Sequence, residues 1–147
     1  MKAIRDYGGD NCILASTDAG RAKWVESLAN DLGIPAAFAL KRRLSGSDTE
    51  VTAINADVEG KTVIIYDDMI RSGSSLINAA IAYKEAKAKE IFVITTHGIF
   101  VKGSVEKLKL SGVISKIICT DTHANTMTID DPFVEVRSIA ELVNSVL

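Results

Sequence analysis

Residues 62–76 read Thr-Val-Ile-Ile-Tyr-Asp-Asp-Met-Ile-Arg-Ser-Gly-Ser-Ser-Leu. A buried-type apolar run delivers two carboxylates, Asp67 and Asp68, to the carboxyl end of a strand, where open α/β sheets place their ligands. Two adjacent aspartates accept hydrogen bonds from neighbouring ribose hydroxyls or share a divalent cation. Ser72, Gly73, Ser74 and Ser75 then offer backbone N–H groups and hydroxyls at a helix start, which suits a phosphate. Each half also has a plainer reading, because Asp ends turns and Ser and Gly favour helix entries. Joined in one strand–loop–helix unit, they point to a sugar phosphate.

Three further groups of residues can carry charge chemistry. Asp18 stands after an apolar run and before a helical stretch, where a carboxylate serves as an N-cap or as a ligand to a hard cation. Lys41, Arg42 and Arg43 form a basic turn, which is either solvated or aimed at an anion. His97 and His123 are the only histidines, and they lack metal-ligand spacing. They read as strand-end and loop residues.

The elements that position these groups follow from the apolar pattern. Short apolar runs near 12–16, 35–40, 62–67, 90–96, 116–120 and 133–137 alternate with helix-length amphipathic stretches, which predicts βαβ units and a mainly parallel sheet covered on both faces. Ala22, Val25, Ala29 and Leu32 share one helical face, and Gly33 with Pro35 stops that helix. The helix from Ser74 to Lys87 sets Leu76, Ala80 and Tyr83 on one face. Ser138-Ile-Ala-Glu141 is a capping box for the last helix. Residues 41–50 lack an apolar period and read as a mobile loop at the carboxyl end of the second strand, ordered only around a triphosphate. Residues 121–132 read as a second polar loop.

The chain has 147 residues, 47% hydrophobic and 24% charged, with a formal net charge of −2. One domain is expected, burying about two-thirds of the surface its unfolded form exposes. Near-neutral charge offers no footprint for nucleic acid or for an anionic membrane surface. Cys12 and Cys119 sit in apolar runs without CxxC spacing, which predicts core packing. No apolar leader and no run of about 18 apolar residues is present, so neither a signal peptide nor a membrane span is expected, and a cytoplasmic address follows by default.

The unit from Asp67 to Ser75 resembles the phosphoribosyl diphosphate signature of type I phosphoribosyltransferases and of ribose-phosphate diphosphokinases. Asp18-Ala-Gly, Lys41-Arg42-Arg43, Thr96-His97-Gly98 and Thr120-Asp121-Thr122 extend the resemblance to the second family across nearly the whole chain. It implies a type I phosphoribosyltransferase-like α/β fold and transfer of diphosphate from ATP to ribose 5-phosphate. It also implies Mg2+ at Asp18, the ribose hydroxyls at Asp67 and Asp68, phosphate at Ser72–Ser75, and Lys41 and Arg43 as the catalytic cations.

Three positions depart from that pattern: Arg71 stands where the synthetases carry Asp, Ser74 where they carry a second glycine, and Arg21 where glycine is usual. Arg21 either crowds the site or adds a phosphate contact. Arg71 lowers the match to base transferases, because a guanidinium does not move a proton as a carboxylate does, and it can instead clamp a phosphate.

The resemblance is to a carboxyl-terminal half. The amino-terminal half that supplies much of the ATP site has no counterpart here, so the isolated chain is expected to turn over ATP poorly. Its expected protein partner is a second copy of itself or a complementary amino-terminal domain. Two other readings remain: a small phosphoribosyltransferase acting on a nucleobase, which would need a hood segment not visible here, and a non-catalytic phosphoribosyl-binding or regulatory domain.

Overall fold

Along β1 (Cys12–Ser16) and β4 (Thr62–Ile70), successive apolar side chains point to opposite faces of the sheet, as strand geometry requires. Ile13, Ala15, Val63 and Ile65 enter one core, while Leu14 and Ile64 enter the other. The structure, a computed structural model, describes residues 1–45 and 48–145, apart from the side chains of 41–45, 48–52, 141 and 142.

The remaining strands are β2 (Ala36–Ser45), β3 (Asp48–Ile54), β5 (Glu90–Gly98), β6 (Lys116–Thr120) and β7 (Val134–Arg137). Together they form one sheet in the order β3-β2-β1-β4-β5-β6-β7. All neighbours pair in parallel except β2 and β3, which are antiparallel. The fold class expected from the sequence is therefore the one observed.

The first core packs α3 (Ser74–Glu85) through Leu76, Ala79, Ala80 and Tyr83, and α4 (Ser104–Leu110) through Leu108. The second packs α1 (Lys2–Gly8) through Ile4 and α2 (Ala22–Leu32) through Val25 and Ala29. Gly33 ends α2 in a left-handed conformation with φ 69°, as the Gly-x-Pro sequence predicts. Cys12 and Cys119 are buried free thiols, and burial pushes Cys119 up to about 11.

Two expectations need correction. Residues 41–50 do not form an irregular loop: β2 runs on to Ser45 and β3 begins at Asp48, with Arg42 in register with Glu50 and Arg43 with Thr49. Register that sets Arg42 against Glu50 and Arg43 against the β-branched Thr49 favours such an edge hairpin. The tip expected to order around nucleotide, Gly46 and Ser47, lies outside the described residues. Residues 121–132 hold a short 3₁₀ turn at Ala124–Thr128. At α5 (Ala140–Asn144), Ser138 Oγ accepts from the Ala140 N–H at 3.1 Å. The Glu141 half of the expected capping box lies outside the described side chains, and Asp121 Oδ1 accepts the Ile139 N–H at 3.0 Å.

Candidate functional site

From β1 the chain moves outward to β2 and β3, then returns to the opposite side of β1 as β4. The crevice between the carboxyl ends of β1 and β4 is thus the switch point of the sheet, the position at which open α/β folds receive ligands. Asp18 lies just beyond β1. Asp67 and Asp68 lie in the last turns of β4, which continues three residues further than the apolar run suggested.

Asp18 caps the 3₁₀ turn Ala19–Arg21, accepting the Gly20 N–H at 2.9 Å. Its turn is held from below: Ser16 Oγ donates to the Asp18 carbonyl at 2.6 Å, and the fully buried Tyr83 hydroxyl donates to the Ser16 carbonyl at 2.9 Å. The helix behind the phosphate loop therefore also fixes the end of β1.

Arg21 spans the carboxylate pair. Its Nη2 lies 2.7 Å from Asp68 Oδ1 and its Nε 3.3 Å from Asp67 Oδ1. Three residues on, Trp24 stacks against Tyr66, with ring centroids 4.4 Å apart, and Tyr66 in turn bonds Thr96 Oγ1 at 2.8 Å. Residues three apart share a helix face, so the ring pair seats the start of α2 over β4 and drops Arg21 onto the two residues after Tyr66. Asp67 has a side chain only 17% exposed. Burial pushes its carboxyl up to about 6; Arg21 opposes that rise and the Asp68 charge adds to it. Burial works against the Arg21 charge, but the Asp68 hydrogen bond and the charges of Asp67, Asp68 and Asp18 outweigh it and raise its pKa.

The loop expected to hold phosphate, residues 71–75, lies beside the pair. A cavity of about 200 Å³ is lined by Asp67 and by residues 69–76. Gly73 precedes α3 at φ 74°, and a Cβ there would meet the buried Leu108 at 2.7 Å. Glycine is required on both counts. Ser74 is the first residue of α3 and is not among the non-glycine residues with positive φ, so its replacement of a glycine costs no backbone strain. Ser72, Ser74 and Ser75 are exposed, with Ser72 Oγ 3.4 Å from Ser74 Oγ. Lys107 reaches over from α4 and donates to Ser74 Oγ at 2.7 Å. Arg71 is exposed and forms no ion pair among the described residues.

The geometry thus unites Asp18, Asp67, Asp68 and Arg71–Ser75 at one end of the sheet. Lys41 and Arg43 are carried by β2 where it extends past β1 at that same end, and their side chains lie outside the description. Arg21 as an ion-pair partner, Trp24 and Lys107 were not identified from the sequence. Only the departure at Arg21 gave a signal. His97 Nδ1 lies 2.8 Å from Thr122 Oγ1, while Thr120 and Thr122 hydroxyls both donate to the Thr96 carbonyl. This Thr/His group ties β5 to the turn after β6.

Among the described residues no three His, Cys, Asp or Glu side chains converge into a metal cage. A hard cation at Asp18 would have to take its remaining ligands from oxygens brought by a substrate, a donor set magnesium accepts. Asp67 and Asp68 fit it poorly because a guanidinium already bridges them.

Residues 30–139 match the phosphoribosyl synthetase-associated domain. The chain belongs to that family. Its curated relatives include a ribose-phosphate pyrophosphokinase of Pyrococcus furiosus, 32% identical over 97% of this chain and 50% of the relative, and one of Brucella melitensis, 32% identical over 97% and 46%. The chain spans about half the length of these relatives. Among solved structures, phosphoribosylpyrophosphate synthetase from Mycobacterium smegmatis superposes with a TM-score of 0.82 at 29% identity, covering 99% of this chain and 46% of that one. A purine phosphoribosyltransferase from Pyrococcus horikoshii shares the fold, with a TM-score of 0.52 at 23% identity over 67% of this chain and 74% of that one. Among the described residues no helix is long and apolar enough to cross a membrane.

Proposed function

We propose that this chain is the ribose 5-phosphate-binding, carboxyl-terminal half of a ribose-phosphate diphosphokinase. The observation that carries the reading is the meeting of the Asp67–Asp68 pair and the phosphate loop at the switch point. Asp67 and Asp68 accept the 2- and 3-hydroxyls of the pentose. The 5-phosphate sits against the N–H groups and hydroxyls of Ser72–Ser75, with Gly73 allowing close approach and Lys107 and Arg71 supplying positive charge. The 1-hydroxyl is then left to face Asp18 and the extended end of β2.

In the reaction of the complete enzyme, the 1-hydroxyl oxygen attacks the β-phosphorus of ATP. The bond from that phosphorus to the oxygen bridging it to the α-phosphate breaks, AMP leaves with the bridging oxygen, and the hydroxyl proton passes to solvent. A magnesium ion brought with ATP would be held at Asp18 and would offset the charge on the diphosphate. Asp18 holds the turn beside it, and Lys41 and Arg43 neutralise the developing charge, so catalysis rests on positioning and electrostatics.

The cavity at the loop, about 200 Å³, suits a pentose phosphate and is smaller than the roughly 300 Å³ at which drug-sized ligand pockets begin. The resemblance to a carboxyl-terminal half assigns the adenine half of ATP to surface from a complementary domain or a second copy. AMP release from ATP and ribose 5-phosphate, measured with and without an added amino-terminal synthetase domain, tests this. Turnover should be weak alone, rise with the added domain, and fall in Lys41→Ala. Robust turnover by the chain alone overturns the half-enzyme reading, and absence of ribose 5-phosphate binding overturns the assignment.

A further inference from the structure

We propose that Arg21 is a built-in cation that keeps divalent metal ions out of the Asp67–Asp68 pair. The ligand named here rests on the ribose phosphate reading above.

Three observations carry the inference. Arg21 bonds both carboxylates at once, at 2.7 and 3.3 Å. Its position is held by structure on each side: the Asp18-capped turn precedes it, and the Trp24–Tyr66 ring pair follows it. Finally, its bonds and that of the Asp68 N–H, 3.0 Å from Asp67, all engage Oδ1 atoms. An ionised carboxylate has two acceptor oxygens, so each aspartate keeps one to turn toward a hydroxyl.

A metal ion shared by the pair would serve one purpose, keeping two adjacent carboxylates ionised in a half-buried crevice. Arg21 supplies positive charge within bonding distance of both carboxylates, which opposes the rise that burial imposes on Asp67. A divalent ion could enter only by expelling the guanidinium from both bonds or by sitting beside a like charge. The pair is thereby tuned to neutral donors such as vicinal hydroxyls, while any cation bound to the diphosphate remains a separate matter at Asp18.

Manganese is a suitable probe, followed by water-proton relaxation in the wild type, Arg21→Gly, Arg21→Met and Arg21→Gly/Asp67→Asn. The glycine and methionine variants should both bind Mn2+ at least about tenfold more tightly than the wild type, and Asp67→Asn should remove the gain. Arg21→Met retains an unbranched apolar stem and good helix propensity and so guards against misfolding of the glycine variant. In parallel, calorimetric affinity for ribose 5-phosphate should change less than about twofold between EDTA and millimolar Mg2+ in the wild type, and at least about fivefold in Arg21→Gly. Arg21→Lys should behave as the wild type does, because it restores the charge. Equal Mn2+ affinity in wild type and Arg21→Gly, or wild-type affinity for the sugar phosphate that collapses in EDTA, overturns the proposal. A wild type that binds no ribose 5-phosphate at all would sink the functional assignment, and the Mn2+ comparison would still decide the role of Arg21.

Discussion

Replacing Asp67 by Asn changes how stability depends on pH, in a direction fixed by burial. The ordinary carboxyl value is 3.8, and in the folded protein Asp67 is raised to about 6, first by burial, with Arg21 opposing and Asp68 adding. Between those values the folded state binds more protons at this site than the unfolded chain, so the free energy of unfolding falls as pH rises. The contribution is fully present below about pH 4 and is lost as pH passes through about 6. A shift of roughly two units corresponds to about 3 kcal/mol as an upper bound. Solvent reaching a side chain that is 17% exposed brings the expected loss to between about 1 and 3 kcal/mol. Asn carries no proton to lose. Urea unfolding followed by circular dichroism, from about pH 4 to about pH 7.5, should therefore show the variant gaining on the wild type across that window. Parallel curves, or a variant that loses ground as pH rises, would refute the raised carboxyl and with it the picture of Asp67 as a costly, functionally retained charge.

Gly73→Ala forces a Cβ to 2.7 Å from the buried Leu108 at a φ of 74°; thermal melting should show a loss of at least about 1 kcal/mol, with weaker ribose 5-phosphate binding, and unchanged binding would mean the loop is not the phosphate cradle. Lys107→Ala should weaken ribose 5-phosphate binding about threefold to tenfold, most at low salt; a loss that ignores ionic strength would argue against a phosphate contact. Tyr83→Phe leaves the buried Ser16 carbonyl without its 2.9 Å partner and should cost about 1–3 kcal/mol in urea unfolding, a measurement in which wild-type stability would deny the bond.

The strands that were legible are those whose register is written by burial. Residues 12–16 and 116–120 are short apolar runs with turn residues on both sides, and the strands match them residue for residue. Strand β3 was not legible because an edge hairpin is specified by pairing across the strand, and Glu50 and Thr49, in register with Arg42 and Arg43, look like loop composition when read singly. Helix α1 was hidden for a different reason. It is short, and it docks through the Tyr7 hydroxyl to Glu135 and Asp6 to Arg137, contacts between opposite ends of the chain. The same distance in sequence separates what could be read of the site from what could not. Asp67, Asp68 and Ser72–Ser75 are consecutive, whereas Arg21 and Lys107 reach them from α2 and α4.

Arg21 posed two alternatives from sequence, crowding or an added phosphate contact, and the structure places its guanidinium on the Asp67–Asp68 pair. A guanidinium that spends its donors on Asp67 and Asp68 contributes little net charge to an incoming phosphate, because each carboxylate cancels it at closer range. The phosphate must then find its countercharge elsewhere, and two cations lie at the loop: Lys107 on Ser74, and Arg71, which makes no ion pair among the described residues. On the proposed reading the site separates its charges, with a pair whose two negative charges Arg21 halves for the hydroxyls and a cationic loop for the phosphate. Such a division favours a ligand with a diol at one end and an anion at the other over a ligand that is anionic throughout, because only the former satisfies both halves without desolvating a charge against its own sign. Ribose 5-phosphate has that distribution, with the 1-hydroxyl standing clear of both.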